Sequence, residues 1–195
     1  MNAEVRQLLR ELEEQGRAND ARETDRSRKF LNLDPDTAEI VSLLARGSRA
    51  KRVLEIGTSN GYSTIWLAAS VAPEDGRVIS IDRDPEKQKL ARENLAKAGL
   101  LETVELCCGD ATEIVAALAG PFDFVFFDAD RIGAHKHLEL LLPKLGRPAF
   151  LVADNALSHA NEIANYLAAI KSLKDVQHAL IPVGKGLSVA LTGPR

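Results

Sequence analysis

From Arg52 onward the chain alternates short apolar runs with helix-patterned segments, and nothing else in it constrains the fold so strongly. The runs RVLEIG, RVISID, ETVELCCG, FDFVFFDA and AFLVADN are each followed by a helical stretch, such as STIWLAASVA or PEKQKLARENLAKAG. Repeated strand–helix–strand units place strands in parallel, with crossover helices on both faces. The last two runs, VQHALIPVG and GLSVALTG, are separated only by Lys185. That is too close for a crossover helix, so they predict an antiparallel hairpin at one edge. The expected fold class is α/β, a doubly wound, seven-stranded, mostly parallel sheet with an antiparallel C-terminal hairpin.

Ahead of this pattern, Val5, Leu8, Leu9 and Leu12 repeat at helical spacing and predict an amphipathic helix over 3–15. Residues 17–29 are polar, with five cations and three anions, and read as a surface connection or a cover over a binding site. Asp34-Pro35-Asp36 predicts a helix start, with Asp34 as N-cap. The chain therefore divides into an N-terminal helix and polar connection over 1–29, a cover or dimer contact, and one domain over 30–195.

The length of 195 residues fits one domain. A net charge of −3 argues against a nucleic-acid-wrapping role, which calls for a basic face. No segment approaches the roughly 20 apolar residues that cross a bilayer. The charged start, MNAEVRQLLRELEEQGR, is not a secretory signal. Adjacent Cys107 and Cys108 point to opposite faces of a strand and make a poor disulfide or metal clamp, so they read as reduced thiols in a cytoplasmic setting.

In open parallel sheets, ligands bind beyond the carboxyl ends of the strands. The first strand runs into Glu55-Ile56-Gly57-Thr58-Ser59-Asn60-Gly61-Tyr62-Ser63, a two-glycine turn that enters a helix near Ser63. Glycine permits close backbone approach, and the free N–H groups of the helix start favour an anion. The spacing is G-x-x-x-G where a dinucleotide fingerprint needs G-x-G-x-x-G, which disfavours NAD. Asp82 ends the second strand, about 25 residues after Gly57, where an acid can accept both ribose hydroxyls. Gly109-Asp110-Ala111 ends the third; its small residues leave room for a flat base, although Asp110 equally suits a helix N-cap. Asp128-Ala129-Asp130-Arg131 and Asp154-Asn155 end the fourth and fifth. On neighbouring strands, Asp128, Asp154 and Asn155 form a hard oxygen set suited to Mg²⁺, Mn²⁺ or Ca²⁺.

Together VLEIGTSNGYST, VISIDRDPEK, GDA, FDFVFFDADR, LVADN and PVGKGLSVAL resemble the class-I, S-adenosylmethionine-dependent O-methyltransferases related to catechol and caffeoyl-CoA O-methyltransferases. The resemblance spans about residues 30–192 and implies a Rossmann-like methyltransferase fold. It implies that the Glu55–Gly57 turn and Thr58 line the methionine moiety, that Ser63 holds its carboxylate and that Ser59 also contacts the cofactor. Asp82 would bind the ribose, and Asp110 and Ala111 would border the adenine. Asp128, Asp154 and Asn155 would hold a divalent cation, Mg²⁺ first among candidates, with the Asp128 backbone also touching the cofactor. Asp130 stands where relatives contact substrate. The implied activity is methyl transfer to a hydroxyl of a small, aromatic acceptor, by a homodimer acting on neither nucleic acid nor membrane. The alternative is a catalytically silent S-adenosylmethionine-binding module.

The sequence departs from the family at the position after D-A-D, where relatives carry a lysine thought to be the general base. Here it is Arg131, whose guanidinium does not accept a proton. Arg131 is instead a candidate for stabilising an oxyanion or binding an acidic acceptor. The base is then a metal-polarised hydroxyl losing its proton to water, His159 or Lys136. The family's tyrosine three residues past that position is Ala134, and the glycine pair before the fifth strand is Pro148-Ala149. His135, His137 and His178 read as surface residues and Trp66 as core.

Overall fold

Among the described residues, the alternation resolves into seven strands: β1 (Arg52–Ile56), β2 (Arg77–Asp82), β3 (Val104–Cys108), β4 (Phe122–Phe127), β5 (Leu145–Ala153), β6 (Val176–Ile181) and β7 (Leu187–Thr192). They form one sheet in the order β3-β2-β1-β4-β5-β7-β6. Strands β1 to β5 are parallel, and β7 runs antiparallel to both β5 and β6. The C-terminal hairpin therefore lies at one edge as its short connection predicts, with β7 inside and β6 outermost. The structure is a computed structural model and describes residues 1–193; the last two residues of the expected 30–195 unit lie outside the described residues.

Among the described residues, seven α-helices accompany the sheet: α1 (Ala3–Arg22), α2 (Pro35–Gly47), α3 (Tyr62–Val71), α4 (Pro85–Lys97), α5 (Ala111–Ala117), α6 (Ala134–Leu141) and α7 (Ala164–Ser172). Successive strand residues face opposite sides. Val53, Phe124 and Val152 accordingly join α1, α2 and α3 in one core, while Leu54, Val125 and Leu151 join α6 and α7 in the other. Central β4 is apolar along nearly its whole length because helices cover both its faces. Asp34 caps α2, with Pro35 in its first turn, and Asp84 caps α4.

Helix α1 is longer than its apolar pattern predicts, because polar residues past Leu12 hold the returning chain. The buried Asn19 and the neighbouring Asp20 both accept the Phe30 N–H, at 3.0 and 2.8 Å, and Asn32 donates to the Leu12 carbonyl at 3.0 Å. Half of the expected surface connection is thus helical, and a short 3-10 turn follows at Arg26–Arg28. Val5, Leu9 and Leu12 pack into the core shared with α2 and α3, so the apolar face of α1 is turned into its own chain. Strand β5 starts earlier than its apolar run, and α7 starts at Ala164, two residues later than its pattern suggests. No helix among the described residues is long and apolar enough to cross a membrane.

Candidate active site

Strand order reverses between β1 and β4, and four inter-strand hydrogen bonds tie the carboxyl ends together there. Gly109 N donates to the Asp82 carbonyl at 3.0 Å and Gly57 N to Ile81 at 2.9 Å. Asp128 N donates to Ile56 at 2.9 Å and Asp154 N to Phe127 at 3.1 Å. Above this row opens a cavity of about 750 Å³. Gly57, Thr58, Ser59, Ser63, Asp82, Asp128, Asp130, Arg131, Asn155 and His159 all line it. A smaller cavity of about 80 Å³ continues past Gly57 and Asp82 to Asp110 and Ala111.

The turn after β1 is built for close approach. Gly57 has φ +116°, and a Cβ there would sit 2.9 Å from the Asp128 carbonyl oxygen. Gly61, at φ +85°, precedes α3 and provides no side-chain cap. Asn60 Oδ1 accepts the Tyr62 N–H at 3.2 Å, and Tyr62 and Ser63 at the start of α3 line the cavity, a favourable place for a carboxylate. Ser63 is placed there, but its hydroxyl donates to Glu55 Oε1 at 2.6 Å.

Glu55 lies elsewhere than the sequence predicts. It is fully buried beneath the turn and lines neither cavity. Its carboxylate accepts the hydroxyls of Ser63, Thr64 and Ser80. Burial nevertheless pushes its pKa up to about 7 against those three hydrogen bonds. Its place is under the loop, holding the start of α3 to β2, because a strand-end side chain that faces inward cannot reach the rim.

Asp82 accepts the Ser59 N–H at 2.8 Å through Oδ2 and the Asp84 N–H at 3.0 Å through Oδ1. A carboxylate has about four lone-pair sites, so capacity for ligand hydroxyls remains. Asp110 is the N-cap of α5, accepting from Thr112 and Glu113, while also bordering the smaller cavity. His137 corrects the surface reading: it is 3% exposed, lies against Thr112 Oγ1 at 3.3 Å and borders the same small cavity. Its helix turns it under the β4 tip, and burial lowers its pKa. His135 and His178 are half-buried, and Trp66 packs against the core.

Register places Phe127 opposite Ala153, so Asp128 and Asp154 follow on adjacent strands. Burial and mutual repulsion raise the pKa of Asp128, with Glu55 adding to the repulsion, and burial raises that of Asp154. Lys185 and Arg131 oppose both shifts. Asn155, at φ +65°, donates from its amide to Asp154 Oδ2 at 2.9 Å. Asp154 Oδ1 is buried with no hydrogen-bond partner. An unsatisfied buried carboxylate oxygen beside a second carboxylate is costly unless a cation joins them. The donor set therefore fits a hard divalent cation.

Around the other end of the cavity, Arg131 is bound to Glu162, with Nε and a terminal nitrogen 2.8 and 2.7 Å from one carboxylate oxygen. His159 Nδ1 lies 2.8 Å from Ser158 Oγ. Lys136 lines neither cavity. Sequence reasoning anticipated one further contributor in part, as the cover alternative for residues 17–29, and missed two. Residues 26–33 form one wall, fastened by Ser59 Oγ to the Phe30 carbonyl at 2.7 Å and by Lys87 Nζ to Lys29 at 2.9 Å. Glu162 holds Arg131. Lys185 lines the cavity beside Asn155. Only Lys185 carried a readable signal, a lone long side chain between two glycines in the hairpin connection.

Comparison with known proteins follows this geometry. The family model described as O-methyltransferase matches residues 2–191. The chain is 39% identical over 132 residues to a catechol O-methyltransferase of Niastella koreensis, covering 65% of this chain and 59% of that protein. It is 38% identical over 141 residues to a catechol O-methyltransferase of Mycobacterium tuberculosis, covering 72% and 62%. The chain thus spans about three fifths of the length of these curated relatives. Among solved structures it is similar to the O-methyltransferase TomG of Streptomyces achromogenes in complex with SAM, at 27% identity and TM-score 0.80, covering 99% of this chain and 91% of that one. It is also similar to an O-methyltransferase from Bacillus cereus in complex with SAH, at 25% identity and TM-score 0.80, covering 95% and 90%. With a match running from the first helix into the last strand, and with the sheet shared by cofactor-bound neighbours, the chain belongs to the O-methyltransferase family.

Proposed function

We propose that this chain is an S-adenosylmethionine-dependent O-methyltransferase that methylates a hydroxyl of a small, catechol-like aromatic acceptor. The carrying observation is that Gly57, Asp82 and Asp128, from three different strand ends, face one cavity. When bound, the sulfonium cofactor supplies an electrophilic methyl group, and a divalent cation favours the ionised form of the attacking oxygen.

The chain's own residues position and charge the reactants. Asp82 accepts the ribose hydroxyls, and the start of α3 beside Ser63 takes the methionine carboxylate. Thr58 and Ser59 line the methionine end, and Asp110 and Ala111 border the adenine in the smaller cavity. Asp128, Asp154 and Asn155 hold the cation, Mg²⁺ by donor chemistry, and Asp130 and His159 face the acceptor. The wall over residues 26–33 covers the bound cofactor from the N-terminal side. Free thiols at Cys107 and Cys108 support a reducing, cytoplasmic setting. A homodimer, implied by the family resemblance, needs a surface other than the buried face of α1; light scattering of the purified chain decides it.

A second reading, a cofactor-binding module without turnover, is favoured by one observation: Arg131 replaces the family lysine and is tied to Glu162. Labelled S-adenosylmethionine and a panel of hydroxylated aromatics, with Mg²⁺ or with chelator, separate the two. Methyl transfer to any acceptor supports the enzyme. Tight cofactor binding with no transfer across the panel overturns it in favour of the silent module.

A further inference from the structure

Arg131 is held at one edge of its guanidinium and free at the other. Its Nε and Nη2 lie 2.8 and 2.7 Å from the same Glu162 oxygen, so Glu162 takes the side edge of the group. Glu162 is itself fixed: its N–H donates to the His159 carbonyl at 2.9 Å, and the next residue, Ile163, is buried in the core that α7 joins. A guanidinium carries five N–H groups, and Glu162 occupies two of them. The end edge, formed by Nη1 and the second N–H of Nη2, has no hydrogen-bond partner among the described residues. That edge is a complete fork of two parallel donors, the shape that a carboxylate fills with both oxygens. The Arg131 side chain is 18% exposed and lines the cavity, so the fork stands at a largely enclosed wall. The exposed side chains of Leu31 and Ile132 line the same cavity and offer apolar surface to a ring.

We propose that Arg131 is the specificity residue of the acceptor site and that the acceptor carries a carboxylate as well as its hydroxyl: a small hydroxylated aromatic acid. Two charge-assisted N–H bonds to one carboxylate fix both the position and the plane of the bound molecule. Asp128 and Asp130 line the same cavity and repel an acid group, so the acceptor turns its hydroxyl toward the acidic strand tips and its carboxylate toward Arg131. A neutral acceptor of the same outline leaves the fork without its charged partner and loses that contact. The substrate class rests on the methyltransferase reading; the carboxylate contact at Arg131 does not.

The test gives the full chain 2,3- and 3,4-dihydroxybenzoate, each compared with the matching benzamide, which has the same outline and no charge. Calorimetry with S-adenosylhomocysteine and Mg²⁺ present reads the four affinities, and labelled S-adenosylmethionine reads kcat/KM. The unaltered chain is expected to favour the acid over its amide at least tenfold for at least one isomer. Arg131→Met is expected to lower that ratio at least fivefold. Arg131→Lys is expected to keep part of it, since lysine retains the charge without the fork. The change in the ratio is what counts, so the unequal intrinsic reactivity of acid and amide cancels. The proposal is overturned if the unaltered chain favours the acid of neither isomer, or if the ratio survives intact in Arg131→Met. If the unaltered chain transfers no methyl group to these compounds or to the wider panel, the methyltransferase reading fails, and the affinity ratios still decide whether Arg131 binds a carboxylate.

Discussion

Asp82 accepts the Ser59 backbone N–H at 2.8 Å, so the residue proposed to hold the ribose also fixes the loop proposed to cradle the methionine. Replacing Asp82 with Ala removes both functions. Charge-assisted hydrogen bonds contribute about 1.5–3 kcal/mol each, so cofactor affinity should fall about 10- to 100-fold. Asp82→Asn should lie between the two. Calorimetry checks this, and unchanged affinity in Asp82→Ala would remove the ribose assignment.

The buried Glu55 makes stability depend on pH. Its pKa is raised from 4.5 to about 7, so the folded state holds a proton that the unfolded chain releases. The associated stability is complete below the unfolded value and is lost as pH rises through the folded one. The loss is on the order of 3 kcal/mol between pH 4.5 and 7. Urea titrations at pH 5 and pH 8 should show this fall, and Glu55→Gln should flatten it.

For the acidic pair, the raised pKa of Asp128 and of Asp154 means that the metal-free chain loses stability as pH rises. A bound dication reverses that loss by mass action. Millimolar Mn²⁺ should therefore raise the melting temperature of the unaltered chain at pH 8, and not that of Asp154→Ala. The same variant should lose metal-stimulated turnover. Full activity of Asp154→Ala in chelator would take the metal out of the reaction.

A methyl group at position 57 has nowhere to go. It would lie 2.9 Å from the Asp128 carbonyl, on a backbone with φ +116°. Gly57→Ala should cost at least about 2 kcal/mol of folding free energy. Where the variant folds, it should bind S-adenosylmethionine more weakly, since β1 and β4 must part at the cavity floor. Denaturant unfolding and calorimetry read the two effects separately.

Much of this was legible in the chain because parallel α/β architecture writes itself locally. Apolar runs of RVISID type mark buried strands, and Asp34-Pro35 and Asp84-Pro85 mark helix starts. Rim residues such as Gly57 and Asp82 follow from where the strands stop. What escaped depends on contacts distant in sequence. Glu55 looks like its rim neighbours until Ser80 and Thr64 close over it. His137 looks exposed on an amphipathic helix until the helix is docked under the β4 tip. The extension of α1 depends on Asn19 and Asp20 catching the Phe30 N–H, which no periodicity announces. The pairing of Arg131 with Glu162 spans 31 residues and two loops.

Because β7 enters the sheet against the direction of β5, the connection leading into it reaches the cavity rim without any crossover helix behind it. Its five residues, 182–186, can be exchanged while the five parallel strands stay as they are. On the proposed function, changes in this connection would reach the acceptor end without altering the strand ends proposed to hold the nucleoside. Grafting this short connection alone is a direct route to redirecting the chemistry of the scaffold.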